Sequence, residues 1–132
     1  MKRSKKSTIK KIPVFFVTAF LVISGVLKIT GIHPMLSHFN EMGFSPLFIV
    51  FLGICEILFG LLFVFNRTSL VGLLLLTGYF GGAMAAEIPF HQVAAPLMPL
   101  VLVWVAAFVR QPSIFSAAKN STSVVNLSTS QK

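Results

Sequence analysis

The sequence predicts an all-α integral membrane protein, a four-helix bundle with both termini in the cytoplasm. Three observations carry this reading. The 132-residue chain is 55% hydrophobic and 11% charged, less than half the roughly 25% charged residues of soluble domains. Its apolar residues gather in four stretches, about residues 13–32, 46–65, 68–88 and 93–109. Its basic residues flank alternate ends of those stretches. With only Glu41, Glu56 and Glu87 as acids, so small a chain cannot cover a water-facing surface.

Residues 1–12 form a basic segment holding Lys2, Arg3, Lys5, Lys6, Lys10 and Lys11. Next to a membrane span this is a topology signal with some attraction to anionic lipid, so the net charge of +8 implies a bilayer and not nucleic acid. A cleaved signal peptide over residues 1–30 is the rival reading. Against it stand the length of the apolar stretch, Lys28 near its end and the lack of an A-x-A site.

The first three stretches are long enough to cross a hydrocarbon core of about 30 Å at about 1.5 Å per residue. The second, 46–65, contains fifteen Leu, Ile, Val and Phe residues around one charge, Glu56. A central charge costs roughly 2.5–3.5 kcal/mol on insertion scales, whereas each such apolar residue contributes about 0.3–0.6, so insertion wins. The fourth, 93–109, is near the lower length limit, and Pro96 and Pro99 place its first turn or two at the interface. Arg67 lies between the second and third stretches, and Arg110, Lys119 and Lys132 follow the fourth. The connections 33–45 and 89–92 contain no Lys or Arg, and the positive-inside rule then puts both ends of the chain inside. The tail 111–132, rich in Ser, Thr, Asn and Gln, reads as disordered. Its Asn120 and Asn126 glycosylation patterns are chance matches if the tail is cytoplasmic. Cys55 is the single cysteine, which excludes an internal disulfide and a cysteine metal cluster. The three loosely spaced histidines specify no metal.

Ionisable groups inside the membrane face a bundle interior or a wet cavity and need a partner. Counted from the helix ends, Lys28 and Glu56 differ in depth by about 9 Å. Their side chains lean toward one another, because each tilts toward the N-terminus of its own helix. Ser24 shares a face with Lys28, and Tyr79 lies near Glu56 in depth. Gly53 and Gly60 flank Glu56, while Gly78 and Gly82 form a GxxxG stripe; both sets are expected to pack the second helix closely against the third. Glu87, His91 and His33 lie near the outer rim, and His38 and Glu41 in the first outer loop. The candidate site is therefore Lys28, Glu56, Tyr79, Ser24, Glu87 and His91. Lys28 can equally snorkel to the headgroups, and Glu56 can equally be a structural pin between helices.

Ser24-Gly-Val-Leu-Lys28, Gly53-x-x-Glu56-x-x-x-Gly60 and Arg67 followed by Leu75-Leu-x-x-Tyr79-x-Gly81-Gly-Ala83-x-Ala85 together resemble the DoxX-like group of small four-helix membrane proteins, over residues 14–110. The resemblance implies a bacterial inner-membrane protein in a superfamily loosely tied to redox work. One relative is a subunit of a thiosulfate:quinone oxidoreductase, and others associate with sulfur or oxidative-stress enzymes. Many relatives carry a histidine after the Gly-Gly-Ala-x-Ala stretch, where this chain has Glu87; His91, a turn further on, is the candidate substitute. Two functions follow. One is a membrane subunit that binds a quinone or other small molecule and works with a redox enzyme partner, without an intrinsic cofactor. The other is a non-catalytic scaffold, homo-oligomer or small transport-like module whose polar cluster is structural.

The topology is testable with reporter fusions. Fusions at Glu41 and Gln92 are expected to read outside, and those at Arg67 and the C-terminus inside. An outside C-terminus would overturn the count of four spans.

Overall fold

The computed structural model describes residues 2–32, 36–113 and 130, and all its regular elements are helical. They are α1 (Lys2–Thr30), α2 (Leu36–Glu41), α3 (Pro46–Val64), α4 (Ser69–Glu87), the 3₁₀ turn η1 (Ile88–Phe90) and α5 (Ala94–Arg110). Three helical segments, Thr8–Thr30, Pro46–Val64 and Ser69–Phe90, are long and apolar enough to cross a membrane, and Ala94–Arg110 is a shorter apolar helix. The protein is therefore a multi-pass membrane protein with three to four spanning helices. His33, Asn120, Asn126 and nearly all of the polar tail lie outside the described residues.

The four long helices form a ring in which α1 packs on α3, α3 on α4, α4 on α5, and α5 back on α1. α1 and α3 run antiparallel, as the contacts Gly25 with Gly53 and Leu21 with Gly60 require. The core occupies one half of the ring, the end that carries Arg67 and Arg110. There Val14, Val17 and Leu21 of α1 meet Phe63 of α3, Leu73, Leu76 and Phe80 of α4, and Val103, Ala106 and Ala107 of α5. Many other large apolar side chains point outward, among them Phe15 and Phe16 at 72% and 71% exposure. An outward-facing shell of this kind suits a helix bundle surrounded by lipid tails.

Lipid offers no hydrogen bonds, so helix ends must satisfy their own backbone groups. At the start of α3 the Ser45 hydroxyl accepts from the Phe48 N–H at 3.3 Å, with Pro46 in the first turn where its missing N–H costs nothing. At the other end of α3 the Thr68 hydroxyl donates to the Leu62 carbonyl at 2.8 Å, and Arg110 Nη1 donates to the Phe63 carbonyl at 2.7 Å. These two bonds occupy carbonyls that the helix end would leave open, and they let residues 65–68 turn tightly into α4.

Two expectations are corrected. The first helix starts at Lys2 and not at Pro13, which lies inside it. The apolar stretch marks where the bilayer begins, not where the helix does; the basic segment has no glycine and is rich in good helix formers. The glycines also divide their work differently. Gly53 and Gly60 face α1: a Cβ on Gly53 would sit 2.7 Å from the Gly25 carbonyl oxygen, and one on Gly60 would lie 3.4 Å from Leu21 Cβ. The close approach of α3 and α4 is at Gly72, whose Cβ would sit 2.4 Å from the Phe63 nitrogen. Gly78, Gly81 and Gly82 would meet nothing within 4 Å. The expected α3–α4 hairpin with a short turn is present, held by a different glycine.

Gly25→Ala and Gly72→Ala should each destabilise the bundle by about 1–3 kcal/mol through overpacking. Gly78→Ala should be neutral or slightly stabilising, since alanine favours helix and the space is open. Thermal unfolding in detergent measures both; equal midpoints for Gly72→Ala and Gly78→Ala would contradict this division.

Candidate functional site

The site begins with a close backbone contact. Gly25 and Gly53 let α1 and α3 approach until each glycine's added Cβ would strike the other's carbonyl oxygen at 2.7 Å. Lys28 follows Gly25 by three residues, Glu56 follows Gly53 by three, and the helices are antiparallel. Lys28 Cβ also packs beside Gly53, 3.1 Å from where a Gly53 Cβ would be. Lys28 and Glu56 thus lie on opposite sides of the Gly25–Gly53 contact along the helix axes, and each side chain, tilting toward the N-terminus of its own helix, leans across the gap toward the other.

Across this gap Lys28 Nζ forms a salt bridge with Glu56 Oε2, and both side chains are buried, 10% and 2% exposed. The remaining polar contacts are longer. Lys28 Nζ lies 3.5 Å from Ser24 Oγ and 3.5 Å from Tyr79 Oη, and the Tyr79 hydroxyl donates to Glu56 Oε2 at 3.4 Å. Tyr79 reaches the pair because its ring is fixed from both sides, edge-on to Phe59 at 6.3 Å and to Phe80 at 5.1 Å. Four of the six candidates, Ser24, Lys28, Glu56 and Tyr79, thus converge.

They converge on a cavity of about 550 Å³ in the half of the bundle opposite the core, well within the range of small-molecule sites. Ser24, Lys28, Glu56 and Tyr79 supply its polar floor. Gly78, Gly82, Ala83 and Ala86 of α4 make one wall, and Pro96 and Pro99 of α5 contribute another. The small residues of α4 therefore make room instead of packing helices. Aromatic rings from the α2 side, Phe39, Phe44 and Phe48, enclose the rest.

Glu87, the fifth candidate, also lines this cavity but has a separate partner. Its Oε2 lies 2.9 Å from His38 Nε2 of α2. His38 Nδ1 is 4.0 Å from the exposed Glu41, and the His38 ring meets Phe90 edge-on at 5.3 Å. The segment expected as an outer loop thus contains a short helix docked on the end of α4. His91, the sixth candidate, is exposed and does not line the cavity; it adopts a left-handed conformation, φ 58°, that closes η1. His38 was not among the sequence candidates. The available signal was Glu87 itself, because a buried acid demands a partner and the bases at that end are histidines. Among the described residues no cluster of His, Cys, Asp and Glu has the makings of a metal site.

The profile of the DoxX-like family matches residues 12–109. The chain belongs to the DoxX-like family. No curated protein and no solved structure matches it. In this DoxX-like protein the matched span takes in α1 from residue 12 onward, α3, α4 and α5 up to residue 109, with the ion pair and every residue of the cavity wall named above.

Chemically, the floor is an internally neutral donor–acceptor cluster. The Lys28 ammonium has three N–H groups; one is committed to Glu56 and the contacts of the others are long. A carbonyl oxygen entering the cavity can accept from Lys28 and from the Tyr79 hydroxyl, while Glu56 holds the ammonium in place.

Removing one member of a buried pair leaves the survivor uncompensated, at a cost of about 3–5 kcal/mol. Lys28→Leu and Glu56→Leu should each lose stability on that scale, and the double variant should recover part of it. A double-mutant cycle by thermal or denaturant unfolding in detergent reads the coupling; a value near zero would mean that the pair does not hold α1 to α3.

Proposed function

We propose that this DoxX-like membrane protein is a small-molecule-binding membrane subunit of a redox system, located in the bacterial inner membrane, and that its ligand is of the quinone class. The observation that carries the proposal is the cavity of about 550 Å³ with the Lys28–Glu56–Tyr79 cluster at its floor. A quinone has the features this space would recognise: carbonyl oxygens for the Lys28 and Tyr79 donors, and a flat apolar ring for the aromatic wall. Electrons would come from a partner enzyme, since the chain's own residues supply hydrogen bonds and a fixed charge pair and no redox group. The sealed core in the opposite half supports binding over passage across the membrane. A purely structural role for the ion pair accounts for its burial but leaves the cavity beside it unexplained.

Native mass spectrometry after mild detergent extraction tests the proposal. The parent should retain a quinone-class lipid, and the folded Lys28→Leu/Glu56→Leu double variant should not. Tyr79→Phe should weaken retention by about tenfold, as expected for the loss of one hydrogen bond of about 1–1.5 kcal/mol. A parent that carries no small molecule and no redox partner would favour the scaffold.

A further inference from the structure

We infer that α2 is a plug which keeps the cavity dry at its membrane-surface end, so that the cavity exchanges its ligand sideways with the bilayer and takes an uncharged, membrane-dissolved molecule. The inference rests on the cavity's being a binding site, and it specifies where the ligand comes from.

Three sets of observations support the plug. The first is attachment. His38 joins α2 to Glu87 at 2.9 Å, both side chains are mostly buried at 13% and 9% exposure, and Phe90 meets the imidazole edge-on. Glu41, on the other side of that ring, is 71% exposed, which sets the outward face of α2. The second is the seal. Phe39 and Met42 line the cavity from this segment, and the rings of Phe39, Phe44 and Phe48 follow one another at 6.4 and 5.2 Å. These apolar groups line the α2 side of the cavity, Phe39, Met42 and Phe44 half-buried and Phe48 at the edge, 42% exposed. The third is a mouth elsewhere. Among the lining residues Phe20 is 45% and Met98 65% exposed, and Gly78 and Gly82 leave open space where side chains would stand. These residues belong to the long helices and face the surroundings of the bundle.

Charge agrees with this route. The floor pairs one cation with one anion, and the rim carboxylate Glu87 is held by His38. No uncompensated charge on the described lining draws an ion inward, whereas a charged ligand would have to shed water and then face a neutralised site. An uncharged ligand already dissolved in lipid meets neither cost.

The test uses the full-length protein in lipid nanodiscs, where both membrane faces are open to reagent. Cys55→Ala removes the native thiol, and Ala83→Cys carries a nitroxide into the cavity wall. Oxygen, which concentrates in lipid, and a water-soluble nickel chelate are the two relaxing agents. Asn40→Cys and Met98→Cys provide the water-exposed and lipid-exposed references. The expected result is oxygen relaxation near that of Met98→Cys and nickel relaxation far below that of Asn40→Cys. Adding His38→Ala should raise nickel access by about tenfold, since a hydrogen bond to a charged group is lost. His38→Phe keeps a ring against Phe90 without a bond to Glu87 and serves as the second variant.

Strong nickel relaxation in the parent would show a water-filled cavity and overturn the inference. Relaxation by neither agent would remove the lateral mouth, and unchanged nickel access in both His38 variants would remove the plug. The measurement needs no ligand. A dry, lipid-connected cavity that retains no quinone would count against the proposed function alone, and a wet cavity that retains one would count against this inference alone.

Discussion

The buried ion pair between Lys28 and Glu56 is the constraint on which the rest of the structure depends. Neither charge is stable alone in hydrocarbon, so each requires the other within contact distance. That requirement brings α1 and α3 together more closely than bulky side chains allow, and Gly25 and Gly53 are where the backbones meet. The same requirement orients Tyr79, whose ring is packed by Phe59 and Phe80 while its hydroxyl faces the carboxylate. A charge pair in place of well-packed apolar residues is weak evidence for added stability. Its position on the floor of a cavity is what the proposed recognition role rests on.

The bundle is asymmetric along its length, and small residues contribute to both halves in opposite ways. Near the Arg110 end, Gly60 and Gly72 bring helices together, and the buried Val, Leu and Phe side chains leave little space. In the other half Gly78, Gly82, Ala83 and Ala86 withhold bulk from one wall of the cavity, and Pro96 and Pro99 from the first turns of α5 line it as well. One sequence feature, a run of glycine and alanine in an apolar helix, thus yields contact in one place and volume in another. Which of the two results depends on the neighbouring helix.

That dependence explains what the sequence disclosed. The spanning helices and the Lys28–Glu56–Tyr79 cluster were legible because a charge in an apolar stretch admits few environments, and depth plus side-chain tilt leaves few partners. The packing glycines were not legible, since nothing local distinguishes Gly72, pressed on Phe63, from Gly78, beside open space. The N-terminal extent of α1 was missed because hydropathy reports the bilayer and not the helix. The α2 contact was hidden by distance in the chain: His38 and Glu87 are 49 residues apart, and six residues with no spanning hydropathy gave no sign of docking.

The rim of the cavity bears on how this chain departs from its family. The resemblance implies a histidine following the small-residue stretch of α4, where this protein has the acid Glu87. His91 is near in sequence, but its backbone turns it outward and it stays exposed. The imidazole bonded to the rim acid Glu87 is instead His38, delivered by α2. An acid at the end of α4 and a base on a separate short helix place a histidine beside the cavity, as a histidine on α4 itself would. The difference is mechanical. A side chain on α4 is held by a long packed helix, whereas His38 is held by one polar bond and one ring contact. A rim closed by such a bonded pair is one that local opening can part, and the contacts to be broken are those of His38 with Glu87 and Phe90.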